Sequence, residues 1–410
     1  MNKNYWILLQ GQFISTLGSG VFFLVMILYG QEVTDSASII GIALMMSQLP
    51  GAIIGPFISG LIDKKSKKKL LIICDLLSAA CMFIFLFSFF LIKDTLMIIN
   101  LMIITAMLIG ILNSILRPTI FSIANELAGP KKVQQSNSFL QSSFQGAGII
   151  ANSLGGILYA MIGPMYLTMI NGISYFLSAI SETFIKEEKN KNYDIINNNK
   201  DEGVLKASAE GIRYIWRHKG LRSFIMVSFL INLSISPLAI LLPFHIKNSL
   251  HLGAEEIGFA LAGEGAGLLV GFLISSKLVF KNLFNSLVYL FLICAILIFT
   301  LGQLSSILSL VLCCGILGIL IGLINVPLIT ILQKIPPQHM IGRVISVFIN
   351  AITAITPIGM GLSGLAIDYL NGNTEVLFML CSILLIFSSL LMYMNLDVKN
   401  MIDSQERAAN

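Results

Sequence analysis

"KKSKKK" at positions 64–69 sets five lysines in six places, directly after Asp63 and between two of the most apolar stretches of the chain. Few other charges interrupt the apolar runs. Those that do are Asp75, Arg117, Glu182, Glu264 and Asp368. A charge near a bilayer centre costs about 2.5–3.5 kcal/mol on insertion scales, so each is retained for a reason. Arg117 stands beside Pro118, deep in an apolar run. It either snorkels to the inner face or faces a cavity, where it would hold a carboxylate or an anionic substrate group. Glu264 lies in "LAGEGAGLLVG" at 261–271. There a carboxyl can carry a proton at neutral pH, or hydrogen-bond where glycines bring two helices close. With the neutral polar residues Asn113 and Gln145, Arg117 and Glu264 form the candidate proton-coupling and cavity set. Glu182 is expected at the inner membrane interface, and Asp368 at an outer gate or helix cap.

These residues need membrane-spanning elements to position them. The chain has 410 residues, 56% hydrophobic and 11% charged, against roughly 25% charged in soluble domains. Its mean hydropathy is +0.87. A helix needs about 20 apolar residues to cross the hydrocarbon. Breaking the sequence at charges, prolines and glycine clusters predicts twelve spans: 5–30, 39–62, 69–92, 95–124, 138–162, 164–186, 221–246, 255–278, 284–303, 305–333, 343–370 and 375–396. The first run is too long for the apolar core of a cleaved leader. With the N-terminus inside, 23 of the 26 lysines and arginines fall in inner segments and only Lys93 and Lys247 in outer ones. This predicts cytoplasmic N- and C-termini. The six cysteines (74, 81, 294, 313, 314 and 381) all lie in apolar runs and read as packing residues.

The sequence also repeats. At an offset of 209, Pro118 falls on Pro327, Phe139 on Phe348, Gly155 on Gly364 and Gly163 on Gly372. Two six-helix bundles, 1–186 and 221–410, are therefore expected around a polar linker at 187–220. Within the linker, Leu205, Ile212, Ile215 and Trp216 predict a short amphipathic helix on the inner membrane surface.

The segment Ser59-Gly60-Leu61-Ile62-Asp63-Lys64-Lys65-Ser66-Lys67-Lys68 resembles the helix 2–3 loop of major facilitator transporters, with serine in place of both motif glycines. "NYWILLQGQFISTLGSGVF" (4–22), "SQLPGAIIGPFISGLID" (47–63), Asp75 after the basic loop, the Pro118 span and "EGIRYIWRHKGLRSF" (210–224) resemble the macrolide-efflux and enterobactin-exporter-like branch. The resemblance covers nearly the whole chain. It implies a twelve-helix fold of two pseudo-symmetric bundles, and a conformational latch of Asp63, Lys64, Lys67, Lys68 and Asp75. In that latch Asp63 caps a helix of the other half, and Lys64 or Lys67 pairs with Asp75. Loop lysines outside the motif set topology and meet lipid headgroups.

There is no G-x-x-x-x-G-K-[ST], no H-E-x-x-H and no C-x-x-C, so no ATPase, metalloprotease or thiol-redox chemistry is indicated. The sequence implies no enzyme activity, no cofactor or metal and no nucleic acid. It implies a secondary transporter in a bacterial-type plasma membrane, acting as a monomer among lipid. The expected activity is export of hydrophobic or amphiphilic, macrolide-like compounds by proton antiport with alternating access. A dedicated exporter of a self-made metabolite such as a siderophore, and a non-transporting sensor or immunity protein, are the alternatives.

Overall fold

The structure is a computed structural model that describes residues 1–34, 36–62, 66–129, 132–185, 204–275, 277–278, 280, 282–337 and 340–407. Among the described residues it contains helices and no strands, as lipid requires of a non-barrel chain. In order these are α1 (Lys3–Val33), α2 (Ala37–Ile62), α3 (Lys67–Leu91), α4 (Thr95–Ala128), α5 (Val133–Thr183), α6 (Val204–Arg217), α7 (Lys219–Ile235), α8 (Leu238–Phe244), α9 (Ala254–Ser275), α10 (Leu283–Leu301), α11 (Ile307–Lys334), α12 (Ile341–Tyr369), α13 (Thr374–Met394) and α14 (Leu396–Arg407). A π-helical turn at His245–Ser249 extends α8.

Polar side chains satisfy the N–H groups that open these helices. Asn2 accepts from Tyr5 N at 2.9 Å, Asp94 from Leu96 N at 3.0 Å and Asn282 from Asn285 N at 3.1 Å. Ten helices are long and apolar enough to cross a membrane among the described residues. One of these, α5, has 51 residues and would be about 77 Å long if straight, more than twice a hydrocarbon core. It is broken at Gly163 (φ 77, ψ 174) before Pro164. The two limbs match the spans expected at 138–162 and 164–186, and α2 matches 39–62. Every one of the twelve expected spans thus has a helical counterpart.

The chain divides into two compact units, Met1–Thr34 with Ala43–Lys206, and Asp35–Ile42 with Ala207–Asn410. In the first, Tyr5, Leu8, Leu71, Cys74, Leu116, Ile120, Ile123, Ala124, Leu140, Phe144 and Ile185 form a core joining α1, α3, α4 and α5. Tyr5 ties it to the start of α5 by donating to the Ser136 carbonyl at 2.8 Å. In the second, α9 lies directly on α11. A Cβ on Gly267 would sit 2.0 Å from the Gly315 carbonyl oxygen, and one on Gly318 2.1 Å from that of Glu264. Only glycine permits such backbone contact.

The linker residues 187–203 lie outside the described residues. The expected linker helix is α6. It docks on α12, where a Cβ on Gly211 would meet the Arg343 carbonyl oxygen at 2.8 Å and Arg343 pairs with Glu210. Of the apolar residues that predicted it, Ile215 is buried, while Ile212 and Trp216 are exposed.

Candidate functional site

Two polar helix faces of the first unit meet on one seam. Gly11, Gln12, Ser15, Gly18 and Ser19 share a face of α1. Asn171, Ser174, Tyr175, Ser178, Ser181 and Glu182 share a face of the second limb of α5, spaced three and four apart. The faces meet closely because α1 carries glycine there. A Cβ on Gly11 would lie 2.4 Å from Ser181 Oγ, and one on Gly18 2.2 Å from Ser174 Oγ. In this seam Gln12 Nε2 donates to Glu182 Oε1 at 2.8 Å. The hydroxyls of Ser19 and Tyr175 are 2.8 Å apart.

Asp75 joins the seam from α3, which presents Cys74 to the core and so turns Asp75 inward. Asp75 and Glu182 are both wholly inaccessible and close enough to interact electrostatically, with Ser178 beside Asp75. Glu182 therefore faces the interior of the unit. The reason is its register: seven residues after Tyr175, it repeats the same helix face two turns on.

Asp75 also does not meet Lys67. Eight residues on, it lies about 12 Å further along α3. Lys67 pairs instead with Glu126 of α4, and Lys68 Nζ donates to the Thr183 and Ile185 carbonyls at 2.6 Å each. An ammonium there compensates the carbonyl end of the α5 limb. Asp63 and Lys64 lie outside the described residues.

Arg117 and Asn113 of α4 border the same network. Tyr175 interacts with both, and the Arg117 guanidinium stands 5.2 Å from the Phe144 ring centroid, within cation–π range. Arg117 keeps accessible surface. Gln145, the neighbour of Phe144, is exposed and stands apart from the network.

Glu264 lies in the second unit. Its backbone is part of the α9–α11 glycine seam, but its side chain is half-buried and makes no hydrogen bond or ion pair among the described residues. The seam is closed by glycine against backbone, so the carboxyl is not what joins the helices. Asp368, also in the second unit, caps the start of α2. It accepts from Ser36 Oγ at 2.7 Å, Ala37 N at 2.8 Å and Ser38 N at 2.9 Å. Among the described residues no group of three or more potential metal ligands comes together.

Helices throughout the described residues, ten of them long and apolar enough to cross a membrane, and an internally repeated sequence define a polytopic membrane protein. Residues 8–357 match the family model described as Major Facilitator Superfamily; the chain belongs to that superfamily. It is 24% identical over 385 residues to macrolide efflux protein A of Streptococcus pyogenes, covering 90% of each chain. It is 24% identical over 222 residues to the multidrug efflux pump Tap of Mycobacterium tuberculosis, covering 53% of this chain and 51% of that one. Its fold is similar to that of the nucleoside transporter NupG, with TM-score 0.72, 14% identity and 96% and 100% coverage. It is also similar to the D-xylose–proton symporter, with TM-score 0.70, 14% identity and 95% coverage of both.

Proposed function

We propose that this transporter exports hydrophobic or amphiphilic compounds of the macrolide type in exchange for protons, by alternating access, from a bacterial-type plasma membrane. The observation that supports it best is the placement of ionisable side chains inside the spans without ion partners. Arg117 keeps accessible surface and stands over the Phe144 ring in the first unit, and among the described residues the Glu264 carboxyl in the second makes no hydrogen bond or ion pair. Keeping them costs several kcal/mol, which neither helix packing nor capping recovers. Glu264 is the proton carrier in this reading, and Arg117 with Asn113 meets the substrate or its counter-charge. The drug-efflux names of two relatives favour outward export of a greasy cargo. The charge distribution favours cytoplasmic termini, and Lys67 with Glu126 favours a latch at the helix 2–3 loop.

The test is accumulation of dyes and macrolides in everted vesicles carrying the protein. Uptake driven by an imposed proton gradient and abolished by an uncoupler supports proton-coupled export. Uptake that ignores the gradient refutes it.

A further inference from the structure

We infer that Asp75 and Glu182 form a second proton-binding site, a carboxyl pair sealed inside the first unit that holds one proton between them in this conformation. Its role in transport rests on the proton-antiport reading above, whereas the shared proton itself does not.

The inference starts from unsatisfied atoms. Among the described residues both Asp75 oxygens and Glu182 Oε2 are buried without a hydrogen bond of ordinary geometry; the Ser178 hydroxyl stands beside Asp75, and Gln12 Nε2 donates to Glu182 Oε1. Buried carboxylates are ordinarily paired or multiply hydrogen-bonded, because an uncompensated one costs several kcal/mol. Among the described residues no cation compensates this pair directly. Lys68 is engaged by the carbonyls of Thr183 and Ile185, Lys67 pairs with Glu126, and Arg117 reaches the network only through Tyr175. Around the pair the other groups are Cys74 on α3, Tyr175 and Ser178 on α5, and Gln12 on α1, all neutral as ordinarily protonated. A proton held between the carboxyls removes one of the two charges and supplies the missing donor. A second proton neutralises the pair, and releasing both leaves two charges in a dry seam. The pair's net charge thus steps from minus one to zero or to minus two as protons move. Such a step biases any conformational change that wets the seam.

The fold does not require these residues. In the 209-residue register, Asp75 corresponds to Phe284, Glu182 to Leu391 and Arg117 to Val326. The second copy builds the equivalent helices with apolar side chains, so the first copy holds its carboxyls for another purpose.

Infrared spectroscopy of the purified full-length protein in liposomes tests this directly. A protonated-carboxyl stretching band is expected at neutral pH, shifted in heavy water and insensitive to sodium. It should be lost in Glu182→Gln or Asp75→Asn and kept in Glu264→Gln. Gln12→Leu should move the pH at which the band titrates. A spectrum unchanged by both pair variants overturns the proposal, and a band that sodium abolishes reassigns the site to a metal cation and overturns it as well. Gln at 182 copies the shape of a protonated glutamic acid, so the folded state is expected to survive; matching thermal unfolding of variant and wild type verifies it. In vesicles, Glu182→Gln should let a transported dye equilibrate but not concentrate. If wild type moves no dye, the export reading fails while the infrared result still decides the shared proton.

Discussion

Gly163 and Gly372, 209 residues apart, both have a positive φ, +77 and +80. Gly163 ends the first limb of α5, and Gly372 follows the end of α12. The two helices occupy equivalent places in the repeat, so the duplication is written in backbone geometry as well as in sequence. A Cβ at either position meets nothing within 4 Å, so the positive φ and not packing favours glycine.

Alanine at either position should therefore destabilise by about 1–3 kcal/mol through backbone strain without a packing clash. Thermal unfolding in detergent should show similar decreases for Gly163→Ala and Gly372→Ala. Unequal effects would argue that only one of the two turns is under strain.

The glycines of the α9–α11 seam predict a different outcome. At Gly267 a Cβ would lie 2.0 Å from the Gly315 carbonyl oxygen, and at Gly271 2.3 Å from that of Ile319. Backbone cannot retreat as a flexible side chain can, so Gly267→Ala must push the helices apart. It should reduce the yield of folded, monodisperse protein far more than Gly163→Ala does. Size-exclusion profiles of the two variants make the comparison.

How far the sequence reached depended on the range of the signal. Helices follow from local apolar length, and the two-limbed α5 was legible because "IGPM" at 162–165 carries both glycine and proline. The polar seam was not found from single charges. Glu182 taken alone reads as an interfacial residue, and Asp75 as part of the basic loop. The signal lay in the spacing of Asn171, Ser174, Tyr175, Ser178 and Glu182, a polar stripe that avoids a solvation cost in lipid only if another helix covers it. Which helix covers it is a tertiary fact, set by Gly11 and Gly18 of α1. The Lys67–Glu126 pair spans 59 positions and had no local signature either.

That pair separates stability from mechanism. Its side chains are 19% and 37% exposed, and such pairs contribute about 0–1 kcal/mol. Lys67→Met and Glu126→Gln should leave the unfolding temperature nearly unchanged. If the pair belongs to a latch, each should still slow transport, and the exchange Lys67→Glu with Glu126→Lys should recover part of the rate. Full activity in both single variants would reduce the loop lysines to setting topology.

Asp368 should behave in the opposite way. Its carboxylate holds two backbone N–H groups at the start of α2 and the Ser36 hydroxyl. Alanine removes every one of these acceptors, and a lost N-cap costs about 0.5–2 kcal/mol. Asn keeps one oxygen and should fall between alanine and wild type. Proteolysis near residues 34–38, faster in Asp368→Ala than in Asp368→Asn, would report the released helix end.

The sharpest distinction lies between the two carboxyl sites. Glu264 stands in the second unit, where its side chain has no hydrogen bond to lose. Glu264→Gln should leave stability within about 0.5 kcal/mol, as for a substitution that breaks no buried network. If Glu264 is the proton carrier, the same variant should abolish gradient-driven accumulation of a dye in everted vesicles while permitting exchange of labelled for unlabelled dye. Arg117→Gln tests the other charge. It should weaken binding of an anionic dye more than that of a neutral one, because it removes a cation and keeps hydrogen-bonding capacity. A Glu264→Gln protein that still concentrates dye against its gradient moves the coupling proton to Asp75 and Glu182 alone; loss of coupling in both sets of variants would mean that two protons, on opposite halves of the repeat, are handled in each cycle.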